Sequence, residues 1–231
     1  MSLVNKLCKA LAVTTIAAAI GCSGTDKKIN YPLTALPLNI TTGYFGAMAT
    51  HESTHALTAK IAGARSVDVD IIPGKKFNYE TGSKKFFFGY TKYKGDLTKN
   101  EELFFDLSGP LAMFTADKTI RELLKKGYVH QELQPTFQWY ALFNKFFVYQ
   151  ESIMGIARRK SSDLGKHQIG VAEVLLGTQF AYDIYDFGFS DGTKFFDVLL
   201  GNDFYKPKKD DFSFRLEKIE DGFGLFVIKK F

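Results

Sequence analysis

The chain has 231 residues with a formal net charge of +5, and 45% of its residues are hydrophobic. Removal of residues 1–21, which hold two lysines and no acid, lowers this charge to +3. So mild a charge excludes nucleic acid as an expected partner. The two cysteines, Cys8 and Cys22, provide no disulfide framework for the mature chain, whose length of about 210 residues is enough to bury a core without one.

The first 21 residues are typical of a signal peptide. Lys6 and Lys9 form a short basic region, and residues 10–20 are largely apolar and uncharged. Such a run is too short to span a membrane as a helix. The sequence Ala19-Ile20-Gly21-Cys22 resembles a bacterial lipobox, whose cysteine becomes the lipidated first residue of the mature protein. The alternatives are an ordinary signal peptide cut nearby and a short apolar anchor.

The lipobox resemblance implies a location and a membrane partner. A lipid on Cys22 would anchor the chain in the bacterial cell envelope, and Ser23 favours the periplasmic face of the outer membrane. Residues 22–38 would then form the lipidated cysteine and its tether. The remaining residues, 39–231, are predicted to form one domain.

A helix is predicted over residues 39–63, where alanine and leucine favour helix and Gly63 provides a stop. It contains the HExxH motif His51-Glu52-Ser53-Thr54-His55. Histidines four positions apart share one helix face and can bind one Zn²⁺. Glu52 can then point toward a metal-bound water, in the general-base position of a zinc hydrolase. The alternative is a core helix with two partnered histidines and no metal.

A small β segment is predicted after this helix. Residues 66–72 alternate apolar and polar side chains as a half-buried strand does, and residues 85–91 are predicted to be its partner. The strand near 85–91 would offer an edge on which an extended peptide could pair. A second helix is predicted over 100–126, broken or bent at Gly109-Pro110. The alternative is that Gly109-Pro110 marks a point of close packing.

Two further helices are predicted over about 135–158 and about 165–186, the first with Pro135 in its first turn. Residues 212–219 and 225–228, separated by a turn containing Asp221-Gly222, predict a hairpin. It belongs to a C-terminal extension, residues 187–231, that is predicted to be rich in β structure. The fold class is therefore α+β and mainly helical.

Two later motifs carry a family resemblance. Asp106-Leu107-Ser108-Gly109-Pro110-Leu111-Ala112-Met113 follows the β segment, and Asn144 precedes Ser162-Asp163-Leu164-Gly165. This order resembles the site-2 protease family of membrane zinc metalloproteases over roughly residues 40–175. The resemblance implies a zincin-like core in which His51, His55 and Asp163 are the zinc ligands. Glu52 would be the base, and a peptide or protein the substrate.

The chain departs from that family in ways that imply a soluble or membrane-apposed relative. Its uncharged run 29–50 contains Pro32 and Pro37. Met113 stands where the family has asparagine, and Leu164 separates the aspartate from its glycine.

The third ligand has alternatives. His167 lies four positions after Asp163 and would share its helix face, so it could bind zinc instead or contact the substrate oxyanion. Glu151 and Glu173 are candidates if the site is of the glutamate-ligand type. Asn144 is either a polar core residue or a clamp on the substrate backbone.

Two functions follow from these patterns. The first is a zinc metalloendopeptidase in which Glu52 acts on a zinc-bound water. The second is a catalytically degenerate lipoprotein on a metalloprotease scaffold, acting in binding or in envelope structure.

Overall fold

The computed structural model describes residues 35–78, 83–157, 163–164, 169–186, 192–206, 212–219 and 222–229. The helices in these ranges are α1 (Leu36–Ile61), α2 (Lys99–Lys125), α3 (Gln134–Ile156), α4 (Ile169–Tyr185) and α5 (Gly192–Leu200). The strands are β1 (Ser66–Asp70), β2 (Gly74–Asn78), β3 (Ser83–Phe87), β4 (Tyr90–Lys94), β5 (Phe212–Ile219) and β6 (Gly222–Lys229). The fold is mainly helical α+β, which confirms the predicted class.

The helix ends follow from local sequence. Helix α1 begins at Leu36, within the predicted tether, because Pro37 is well suited to a first helical turn. It ends before Gly63, whose φ of +87° suits glycine best. Helix α2 begins with a capping box in which the Thr98 amide donates to Glu101. It continues through Pro110, so the helix is not broken there, and a bend at that point stays a prediction.

The strand prediction needs a correction. Residues 85–91 do not form one strand, because the chain leaves the strand conformation at Phe88 and Gly89. The residues before this point belong to β3, which pairs antiparallel with β2, and those after it belong to β4, which pairs antiparallel with β1. Strand β2 was not predicted, since Gly74-Lys75-Lys76-Phe77-Asn78 lacks an apolar alternation.

The C-terminal region is mixed. Strands β5 and β6 pair antiparallel with Ile219 opposite Gly222, as the predicted hairpin requires. Helix α5 lies in the stretch that was predicted to be rich in β structure. The predicted signal peptide, Cys22, most of the tether and His167 lie outside the described residues. Among the described helices, none is both long and apolar enough to cross a membrane.

Helix α3 is at the centre of the packing and contacts α1, α2, α4 and α5, while β1 and β4 pack against α1. The largest core cluster joins buried residues of α1 to α4 and of the short segment 163–164; they are Ala47, Met48, Met113, Phe147, Val148, Leu164, Ala172 and Leu175. Glycines bring α1 close to α3, since a Cβ on Gly43 would lie 2.7 Å from the Tyr140 amide nitrogen.

Replacing Gly43 with alanine is therefore expected to destabilise the fold. The new methyl would meet backbone atoms of α3, which cannot rotate away, and such overpacking costs about 1–3 kcal/mol. The control is Gly177→Ala on α4, where a Cβ meets nothing within 4 Å. Alanine there should stabilise the helix by up to about 1 kcal/mol. Urea unfolding of both variants measures the two free energies, and equal values would contradict the close α1–α3 contact.

Candidate metal centre

Helix α1 places the two motif histidines together. His51 and His55 lie one turn apart, are 8% and 3% exposed, and bring their Nε2 atoms to 3.1 Å from each other. Because the spacing of four residues sets this geometry within one helix, the sequence alone could predict the pair.

Asp163 completes a triangle with these nitrogens. Its Oδ2 lies 3.1 Å from Nε2 of His51 and 3.1 Å from Nε2 of His55. In the part of the chain that the structure describes, these three residues are the group of metal-binding side chains whose ligand atoms gather within 4.8 Å. The three atoms thus form a triangle with equal sides.

The size of this triangle suits a tetrahedral metal ion. Bonds of about 2.0–2.1 Å, as in zinc sites, place neighbouring ligand atoms about 3.3 Å apart. The observed 3.1 Å is close to that spacing for all three pairs. A single proton could bridge only one pair at a time, whereas a cation above the triangle would bind all three atoms.

The His55 ring is held in the tautomer that a metal ligand needs. Its Nδ1 lies 2.5 Å from the carbonyl oxygen of Phe105, which can only accept, so the proton belongs on Nδ1. The Ser108 hydroxyl donates to the same carbonyl over 2.7 Å. In the neutral ring, Nε2 therefore presents its lone pair to the triangle.

Gly109 makes room for both rings. A Cβ at this position would lie 2.4 Å from His55 Nε2 and 2.5 Å from His51 Cε1. Gly109 belongs to the S-G-P-L-A sequence. The structure agrees with the alternative interpretation of Gly109-Pro110, in which this is a point of close packing. Nδ1 of His51 is buried without a hydrogen-bond partner among the described residues.

Glu52 lies beside the triangle and is held by contacts from strand β4 and from the residue just before it. Thr91 of β4 donates its hydroxyl to Glu52 Oε2 over 2.6 Å, and a Cβ on Gly89 would lie 2.4 Å from Oε1. The Tyr44 hydroxyl donates to the carbonyl oxygen of Phe88 over 3.0 Å and so holds the chain just before Gly89. Thr91 and Gly89 were not predicted, because no local pattern connects them to α1.

Burial dominates the acid–base properties of this cluster. It raises the pKa of Glu52, although His51 and the Thr91 hydroxyl act in the opposite direction. Burial also raises the pKa of Glu151, together with the charge of Asp163, to about 8. For Asp163 burial acts upward as well, but hydrogen bonds from His51 and His55 outweigh it and lower the pKa.

The pKa of His55 is raised, because the hydrogen bond and the charge of Asp163 outweigh the burial that would lower it. Asp163 raises the pKa of both other carboxyls, Glu52 and Glu151, and the two histidines lower the pKa of Glu52 and of Asp163. Glu52 is buried, Glu151 and Asp163 are half-buried, and a cation would stabilise these three acid groups.

The other predicted site residues lie elsewhere or serve other contacts. Asn144 is fully buried on α3 and donates to the carbonyl oxygen of Tyr140 one turn earlier, over 2.8 Å. Glu173 is exposed on α4. Glu151 is not in the triangle, but its Oε2 accepts from the backbone amide of Asp163 over 3.0 Å.

An open, mostly apolar groove of about 780 Å³ runs along α1 and α2. Ser108 lines this groove and lies 3.2 Å from Nδ1 of His55. Ser108 therefore connects the groove to the Nδ1 side of the His55 ring, and Nδ1 is the ring nitrogen outside the triangle.

Comparison with known proteins identifies no relative: no family model, curated protein or solved structure matches this chain.

Proposed function

We propose that this protein is a zinc-dependent metallopeptidase, related in its site to the site-2 proteases that its motifs resemble. The observation that carries the proposal is the triangle of His51 Nε2, His55 Nε2 and Asp163 Oδ2, with sides of 3.1 Å. Glu52 follows the first ligand directly and contributes the remaining catalytic group.

His51, His55 and Asp163 would hold Zn²⁺ in a zincin-like core and leave one coordination position open. When bound, the ion supplies Lewis acidity that polarises a peptide carbonyl and makes water more acidic. The Phe105 carbonyl and the Ser108 hydroxyl keep His55 in the tautomer that can bind the ion.

Glu52 would accept a proton from the attacking water and donate it to the leaving amine. Burial destabilises the Glu52 carboxylate and raises its pKa, which makes the protonated form in this exchange easier to reach. Thr91 orients the side chain by donating to Oε2. A peptide bond is the substrate implied by this pairing of a base with a Lewis acid.

A second candidate is a zinc-binding protein without peptidase activity. It is favoured by the enclosure of Glu52, which is 4% exposed and has both carboxylate oxygens against the segment from Gly89 to Thr91. A substrate would have to reach the base past this segment.

Cleavage of a broad peptide library by the purified protein distinguishes the two. The metallopeptidase should cleave, lose activity when a chelator removes the metal, and regain it with added Zn²⁺. Zinc binding without cleavage would support the second candidate, and cleavage that resists metal removal would contradict both.

A further inference from the structure

Asp163 is the only member of the triangle that is not on α1. It lies in the short segment 163–164, between α3 and α4 in the chain. The two histidines are fixed relative to each other by one helix turn, whereas the position of Asp163 depends on tertiary contacts. What holds this segment therefore determines whether the triangle forms.

Glu151 holds the segment from α3. Its Oε2 accepts from the backbone amide of Asp163 over 3.0 Å. This hydrogen bond fixes the backbone of the segment at Asp163 itself. The Asp163 side chain is then free to face His51 and His55.

A packing contact one turn along α3 supports the same segment. Leu164 is 1% exposed and belongs to the main core cluster. A Cβ on Gly155 would lie 2.8 Å from the Leu164 Cβ, so this glycine lets the segment lie close against α3. Glu151 and Gly155 are four residues apart and share one face of the helix.

We propose that Glu151 is a positioning residue for the third metal ligand, acting through the backbone amide of Asp163. It does not bind the ion itself, since the ligand atoms that gather within 4.8 Å among the described residues are those of His51, His55 and Asp163. The proposal depends on the proposed function only for the identity of the ion.

The test is the zinc affinity of two variants, measured by competition with a chromophoric chelator. Glu151→Gln keeps an oxygen that can accept from the Asp163 amide, whereas Glu151→Met has similar volume and no such oxygen. We expect the methionine variant to bind Zn²⁺ about 10–100-fold more weakly than wild type, as for other groups that orient a ligand. The glutamine variant should remain close to wild type.

Glu173→Gln, an exposed change on α4, is the control and should leave the affinity unchanged. If Glu151→Met does not fold, as judged by circular dichroism, Glu151→Asp replaces it, because its shorter side chain withdraws the acceptor from the Asp163 amide. Equal affinity for the glutamine variant and the variant that lacks the acceptor would overturn the proposal.

These results separate the positioning role from the peptidase. Wild type that binds zinc but cleaves nothing, together with weak binding by Glu151→Met, would refute the peptidase and support the positioning role. Cleavage by wild type, together with unchanged zinc affinity in Glu151→Met, would support the peptidase and refute the positioning role. Wild type that binds no zinc would overturn both.

Discussion

Replacing Glu52 with glutamine should abolish most peptidase activity while the protein keeps its zinc. The amide has the same shape but cannot accept a proton, and loss of a general base lowers kcat by about 10²–10⁴-fold. Zinc should stay, because the three atoms of the triangle belong to His51, His55 and Asp163. Steady-state kinetics and zinc content of the same preparation measure both parts of the prediction.

Glu173→Gln is the matched control for this experiment as well, since it makes the same chemical change on an exposed surface of α4. It should retain wild-type kcat and zinc. Unaltered proteolysis in Glu52→Gln would remove Glu52 as the base. Loss of zinc together with activity would show instead that the carboxylate stabilises the metal centre.

Replacing Asp186 with alanine should give the largest loss of stability. This carboxylate is fully buried at the end of α4 and accepts from both Arg121 and Lys125 of α2. Arg121 is itself 1% exposed. Removing one partner of a buried ion pair leaves the other charge in a poorly solvated place and costs about 3–5 kcal/mol.

Chemical denaturation measures this loss as a change in the free energy of unfolding. Asp197→Ala, an exposed change on α5, is the control and should stay within about 0.5 kcal/mol of wild type. A loss in Asp186→Ala no larger than that of the control would contradict the view that this ion pair joins α2 to α4.

The same carboxylate should make stability depend on pH. Burial acts to raise the pKa of Asp186, but the hydrogen bond from Lys125 and the charge of Arg121 outweigh it and lower the pKa. An aspartate with a lowered pKa stabilises the fold above its unfolded value of about 3.9 and loses this contribution as pH falls through its folded value. Wild type should therefore lose more free energy of unfolding than Asp186→Asn below about pH 4. Parallel curves for the two proteins would contradict this assignment.

The part of the site that could be predicted is the part that one helix encodes. His51, Glu52 and His55 are set by the spacing of α1, and their geometry needs no tertiary information. Asp163 was predicted as a ligand only from the family resemblance. Nothing in the sequence around it indicates that it contacts His55 and His51, which lie 108 and 112 positions earlier in the chain.

The supporting contacts could not be predicted, for two reasons. The carbonyl of Phe105 that fixes His55 is a backbone group, and a backbone group has no signature in the sequence. Glu151 was considered as a ligand but not as an acceptor for amides, because that role depends on where the segment at Asp163 returns to α3. Thr91 and Gly89 depend likewise on how the β segment packs against α1.

The fold shows the same division. Helices with strong local signals were predicted to within a few residues, such as α3 from Pro135 in its first turn and α1 from its stop at Gly63. The predicted strand 85–91 was wrong as a single strand, because an apolar run does not specify its partner. Residues 85–87 pair with β2, and only residues 90 and 91 pair with β1 as predicted.

Zinc stoichiometry of the purified protein tests the metal centre most directly. Inductively coupled plasma mass spectrometry on wild type, His55→Ala and Asp163→Ala compares the three under identical conditions. The proposed centre predicts about one zinc per wild-type chain and near-zero zinc in both variants, because each removes one corner of the triangle. Zinc-free wild type, or zinc that persists unchanged in both variants, would contradict it.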